Sequence, residues 1–210
     1  MRSAESIKES TEAFLKHLGV EVNTALPCIE GPDETRPKSA SEVAQQLIAV
    51  HYMVKVGYGY PIALARERLL ELGASEILGS ASRDIMEQEN LSERDKINLC
   101  WQVEGLQALA WALALDLVQL DHTRPCDDDL ASRVPAPEQE IDFIRNATLR
   151  PIGDIQEQVD LIYRMHWAAA NARFTGTDSS LNESIIRERR RALDWIYGVD
   201  EDWDEVPLDT

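Results

Sequence analysis

The stretch DLIYRMHWAAANARF, residues 160–174, sets Arg164, His166 and Arg173 among residues suited to a helical core. Ile155, Val159, Ile162, His166, Ala169 and Arg173 recur at three- and four-residue steps, so one helical line carries apolar and ionisable side chains together. Two further segments do the same. Glu104 falls on a line with Ile97, Trp101, Ala108, Trp111 and Leu115, and Arg189 stands between Ile185/Ile186 and Leu193/Ile196. A carboxylate facing an imidazole can move protons, which makes Glu104 and His166 a candidate general acid–base pair beside Trp101 and Trp167. Burial raises a carboxyl pKa and lowers an imidazole pKa while their mutual attraction does the reverse, so the direction of the shift stays open.

The same residues can equally hold the fold together. An ion taken out of water costs several kcal/mol unless it is paired. Glu104 therefore needs a cationic partner, and Arg164, His166, Arg173 and Arg189 are the candidates. The expected polar cluster is Trp101, Glu104, Arg164, His166, Arg173 and Arg189, either a binding site or a network that keeps three helices in register.

The elements that must position these groups are helical. Apolar periodicity predicts helices at 3–18 (Ile7, Phe14, Leu15 and Leu18 on one side), 39–56 behind a Ser cap, and from Pro61 to Gly73. Further helices are expected from Ser75 to about Glu87 and at 95–120, 138–146, 151–175 and 182–197. Segment 95–120 is apolar on most faces, with Ser92 as its N-cap, and is expected to be the central helix of the bundle. VEVNTALPCIEGPDETRP (20–37) and DHTRPCDDDLASRVPAP (121–137) are punctuated by Pro and Asp and read as loops, with at most a short strand at Val20–Val22. The expectation is one all-α domain over 1–210, a bundle of about seven helices around the helix at 95–120. It comprises an N-terminal helix and Pro-rich arm (1–37), a helical core (38–198) and an acidic tail (199–210) that packs on the core.

Composition narrows the function classes. With 38 acidic against 21 basic residues the net charge is −17, which argues against nucleic acid or an anionic membrane as partner and permits a basic protein. Cys28, Cys100 and Cys126 form no CxxC pair and have no His at ligand spacing, so neither a zinc site nor a disulfide framework is expected. GLQALAWALALDLVQL is interrupted by Gln107, Asp116 and Gln119 and is too short to span a bilayer. MRSAESIKESTEAF lacks the apolar core of a signal peptide, and a cytoplasmic location is expected.

Three motif-like stretches fail on their spacing. DEDWDE (200–205) starts like a calcium loop, but Glu205 stands where glycine must and no twelfth-position Glu follows. GYGY (57–60) follows a helix and lacks a third glycine, so it reads as a turn. GSAS (79–82) does not make a nucleophile elbow. The tail, with Trp203, Asp204 and Asp209 as anchors, is expected to return to the arginine-rich helix carrying Arg187, Arg189, Arg190 and Arg191.

VEVNTALPCIE, CWQVEGLQALAWALAL, DLIYRMHWAAANARF, RERRRALDWI and DWDEVPLDT together resemble a largely bacterial family, domain of unknown function 4272, in order and from about Val20 to Thr210. The resemblance implies a helical single domain and brings no activity, cofactor or partner with it. It implies typical positions at Pro27, Trp101, Glu104, Leu109, Trp111, Asp160, Tyr163, Arg164, His166, Trp167, Arg173, Glu188, Arg189, Trp195, Trp203, Asp204, Asp209 and Thr210. This chain departs from the pattern at Arg190, where the family carries a histidine, and at Asp194, where it carries an asparagine. If that histidine acts chemically in relatives it cannot act here, which weakens an enzymatic reading that rests on a histidine pair. The reading is a binding or interaction module with an interior polar cluster; the alternative is a small hydrolase or transferase using Glu104 and His166 in a cleft.

Overall fold

The computed structural model describes residues 2–115 and 118–210, and among them it is helical throughout, without a strand. The helices are α1 (Ala4–His17), α2 (Ala40–Gly57), α3 (Ile62–Glu71), α4 (Ser80–Met86), α5 (Glu93–Trp101), α6 (Val103–Ala112), α7 (Leu130–Arg133), α8 (Glu140–Asn146), α9 (Ile152–Thr175) and α10 (Glu183–Tyr197). Their starts obey local chemistry. Ser39 and Glu42 form a reciprocal capping box on α2, Ser92 accepts the Asp95 N–H at the start of α5, and Asn182 accepts two backbone N–H groups on α10.

The centre of the bundle is not where the apolar run placed it. On α2 the consecutive residues Leu47, Ile48, Ala49 and Val50 are all 0–1% exposed, which only a helix surrounded on every side can achieve. α2 packs on α5, α6 and α8, while α10 lies between α9 and α6. The expected helix at 95–120 is instead two short helices, interrupted at Gln102 and ended after Ala112. The interruption takes Trp101 and Ile97 off the line of Glu104, and they are 40% and 57% exposed. Two further expectations are corrected. Helix 75–87 is confined to α4, and on α1 it is Ile7, Thr11 and Leu15 that face inward while Phe14 and Leu18 lie exposed.

Propensity alone would have let α6 continue through LALDL. Its end is set by tertiary hydrogen bonds, because Arg150 donates its backbone N–H to the Ala112 carbonyl and its Nε to that of Trp111. The Leu115 N–H closes back on Ala110 O, and Ala114 takes the left-handed conformation this closure requires, with φ 53°. An L-residue pays about 1–2 kcal/mol there, part of which glycine would lose again in chain entropy. Ala114→Gly is therefore expected to stabilise the protein by about 0.5–1 kcal/mol, read as a raised urea midpoint with an unchanged slope.

The 199–210 segment folds against the bundle. Trp203 is 1% exposed and packs edge-on to Trp195, ring centroids 5.7 Å apart. The tail carboxylates do not reach the arginine-rich helix. Asp204 accepts from Ser82 N (2.7 Å) and Ser82 Oγ (3.1 Å), and Asp202 from Ser80 N, so together they cap α4 from 122 residues away. Gly79 precedes that helix because a Cβ at this position would collide with both carboxylates. The arginine-rich helix meets the segment through Trp195, which packs on Trp203 and donates its indole N–H to the Glu201 carbonyl (3.3 Å), and through Arg190 Nη1, which donates to the Asp209 carbonyl (2.9 Å). The Trp203 indole N–H has no hydrogen-bond partner among the described residues, so Trp203 anchors the segment by packing alone.

Candidate functional site

Glu104 is 3% exposed and faces Arg189, which is fully buried. Arg189 Nε and Nη2 both reach Glu104 Oε2, at 3.0 and 2.7 Å. The other carboxylate oxygen accepts the Cys126 backbone N–H at 3.0 Å. Arg189 spends its remaining donors on the carbonyls of Asp121 (2.6 Å) and Arg124 (3.0 Å). One turn along α6, Gln107 donates to Gln119 O and accepts from Asp127 N. The pair therefore fastens the backbone of loop 119–127 to α6 and α10. It is a charge-assisted clamp in which both carboxylate oxygens are engaged and the two ions are enclosed by the fold.

The remaining members of the expected cluster are distributed over other networks. Arg164, 2% exposed, grips Asp160 through Nε and Nη2 and donates to Pro27 O, with Glu12 at 3.8 Å. His166, 4% exposed, meets Arg190 Nη1 through Nδ1 at 2.7 Å, and Arg190 also holds Asp194 at 3.0 Å. A guanidinium can only donate, so Nδ1 must be the acceptor and the ring is neutral with its proton on Nε2. Arg173 is largely exposed and pairs with Glu183 on the surface, because it sits in the last turn of α9, beyond the packed part of that helix. Trp101 stands at the surface. Glu104 and His166 thus belong to separate networks and make no hydrogen bond to each other. A fourth buried ion network, Glu140 with Arg68 and the Tyr52 hydroxyl, gave no sequence signal, since Glu140 is the first residue of a helix of only seven residues.

What the Glu104–Arg189 clamp holds in place is one wall of a groove of about 670 Å³. The opposite wall is the end of α2 and the GYGYP turn: His51, Val54, Lys55, Tyr58, Tyr60 and Pro61. Val103, Leu106 and Leu130 make the base, and Cys126, Asp127, Asp128 and Ala131 the clamped side. The volume and the mainly apolar lining with a few polar groups fit a small-molecule site. Lys55 Nζ lies 4.8 Å from the Tyr52 ring centroid and 4.3 Å from that of Tyr60. Burial, helped by the Lys55 charge, holds the His51 imidazole down at about 4, so it is neutral near pH 7. Burial beside the Glu104 carboxylate pushes the Cys126 thiol up to about 11 and leaves it protonated, a poor nucleophile. None of the groove side chains was expected to form a site: Cys126 was weighed only for metal or disulfide chemistry, and the turn residues GYGY, which form the rim, were read as a connection. Among the described residues no group of three or more His, Cys, Asp or Glu side chains comes together as a metal site. None of the helices described is long and apolar enough to cross a membrane.

The buried imidazoles give the protein a pH profile. Burial, with Arg189 nearby, lowers His122 to about 3, and burial, with Arg190 nearby, lowers His166 to about 4; His51 adds a third. Between about pH 4 and 6.5 the unfolded chain carries protons on these rings that the folded chain has shed, so stability rises with pH across that window. Asp194 opposes this. Burial raises its carboxyl to about 7 despite Arg190, so it keeps a proton that the unfolded chain releases near pH 4, and its contribution falls as pH rises towards 7. Three sites outweigh one. The thermal midpoint is expected to climb from pH 4 to 6.5, and Asp194→Asn to steepen the climb; a flat profile would contradict the lowered imidazole pKa values.

Fold and site together define an all-helical protein with internal ion clamps and an apolar groove. The model of the family described as domain of unknown function (DUF4272) matches residues 7–206, and the chain belongs to that family. No curated protein and no solved structure matches it.

Proposed function

We propose that this protein is a binding module whose ligand sits in the groove between the GYGYP turn and the loop held by Glu104 and Arg189. The observation that carries this reading is the commitment of Glu104. Both its oxygens are engaged in fixing the groove wall, so the buried charge supports a surface built to receive something. The rival reading, a hydrolase or transferase using Glu104 and His166, loses support from their separation into two closed networks. Ala131 is an exposed groove-lining residue on α7, so Ala131→Trp fills the groove without disturbing the core. The test is fluorescence of the neutral probe N-phenyl-1-naphthylamine, which brightens in apolar sites. The wild type is expected to bind it and Ala131→Trp to bind at least tenfold more weakly at an unchanged melting midpoint; equal binding by the two would remove the groove from consideration.

A basic protein partner is a second reading, favoured by the net charge of −17 and by the run Asp127, Asp128 and Asp129 beside the groove. Retention of a partner on the immobilised protein at low salt, with release by about 0.5 M salt, would support it.

A further inference from the structure

We infer that the ligand of the groove is an amphipathic organic acid, an apolar body with one anionic head group, and that Lys55 receives the head. This rests on the groove reading above and names the chemistry of its occupant.

The base of the groove, Val54, Val103, Leu106 and Leu130, offers a hydrocarbon or aromatic body an apolar surface to leave water for. The state of the groove's cation bears on the charge of its ligand. Acidic residues outnumber basic ones by 38 to 21, yet among the described residues no carboxylate comes within 4.0 Å of Lys55 Nζ. The ammonium rests between the faces of Tyr52 and Tyr60. Two ring faces attract a cation and orient it but do not neutralise it. Among the described residues the positive charge at this half-buried position therefore has no carboxylate partner.

The acids of the opposite wall are in a different condition. Asp127 is already engaged, with Arg133 at 3.3 Å and its own N–H held by Gln107. Asp128 is exposed to water, where its charge is screened. A cationic ligand would meet the Lys55 ammonium inside the groove and find one spent and one solvated carboxylate at the edge. An anionic head finds a half-buried ammonium that has no carboxylate partner among the described residues, and with it a charge-assisted hydrogen bond. The neutral His51 ring beside Lys55 adds a polar contact that carries no charge to oppose the head.

The experiment is displacement of N-phenyl-1-naphthylamine from the full-length protein by three twelve-carbon competitors, dodecanoate, dodecanol and dodecylamine, at pH 7.5, below the micellar range. Only the fluorescence that Ala131→Trp abolishes is counted, which confines the reading to the groove. Dodecanoate is expected to displace at least tenfold more effectively than dodecanol, and dodecylamine to be weakest. Lys55→Met should erase the advantage of the acid over the alcohol while leaving dodecanol unchanged, and Lys55→Arg should retain it. If acid and alcohol displace equally, or if the amine or an amphipathic Lys/Arg-rich peptide displaces best, the acid assignment falls while the groove stands. If Ala131→Trp leaves the probe signal unaltered, the groove reading itself has failed and the ligand class with it.

Discussion

Glu104→Ala is expected to lower the free energy of unfolding by about 3–5 kcal/mol, the range seen when one partner of a buried ion pair is removed. The substitution strands the Arg189 guanidinium in a place with no access to water and takes the acceptor away from the Cys126 N–H. Urea unfolding followed by tryptophan fluorescence measures it, and a change below about 1 kcal/mol would show that the clamp is not structural. Glu104→Gln should fall between, because the amide can still accept from Cys126 while its charge is gone. Replacing both partners, Glu104→Leu with Arg189→Leu, is expected to recover only part of the loss. A hydrophobic pair removes the stranded charge, but it leaves the Asp121 and Arg124 carbonyls and the Cys126 N–H without partners. The same variants should bind the naphthylamine probe more weakly, since the loop they release is a wall of the groove.

Truncation after Val199 is the second large effect, with an expected loss of about 4 kcal/mol or more. Burying an indole such as that of Trp203 contributes about 3–5 kcal/mol against its deletion, and each lost helix cap about 1 kcal/mol more. A thermal midpoint equal to that of the intact chain would refute the packing role of the segment. Gly79→Ala separates the two contributions. It leaves Trp203 in place but puts a methyl group where Asp202 and Asp204 must approach α4, so it should reproduce the capping part alone.

Much of this architecture was legible in the sequence wherever a local rule decided it. The Ser cap before 39–56, Pro61 and Gly73 around the next helix, and the apolar steps of α9 and α10 set the boundaries of those helices to within a residue or two. The ion partner of Glu104 was legible as a requirement, since a carboxylate among leucines and alanines must be paired, and Arg189 was among the four candidates. Which candidate pairs was not legible, because that depends on how α6 rotates after the break at Gln102. The long helix at 95–120 was misread for the same reason. Nothing in LCWQVEG forbids a continuous helix, and only the tertiary demand of Arg150 on the Ala112 carbonyl ends α6 where it ends. The groove was invisible from the sequence because its two walls lie about 70 residues apart and neither carries a motif. Lys55 and Tyr60 are unremarkable at the end of a helix until loop 126–131 comes to face them.

The clamps also bear on how the chain reaches its native state. They join Glu104 to Arg189, Ser82 to Asp204, Arg164 to Pro27 and Tyr197 to Glu30 across separations of 85, 122, 137 and 167 residues. Helical proteins ordinarily fold fast because their contacts are near in sequence. Here the helices can form early from local signals, but the polar locks close only when distant segments have already docked. The clamps then act chiefly as a brake on opening, so that the lifetime of the folded protein owes more to them than the speed of its assembly does.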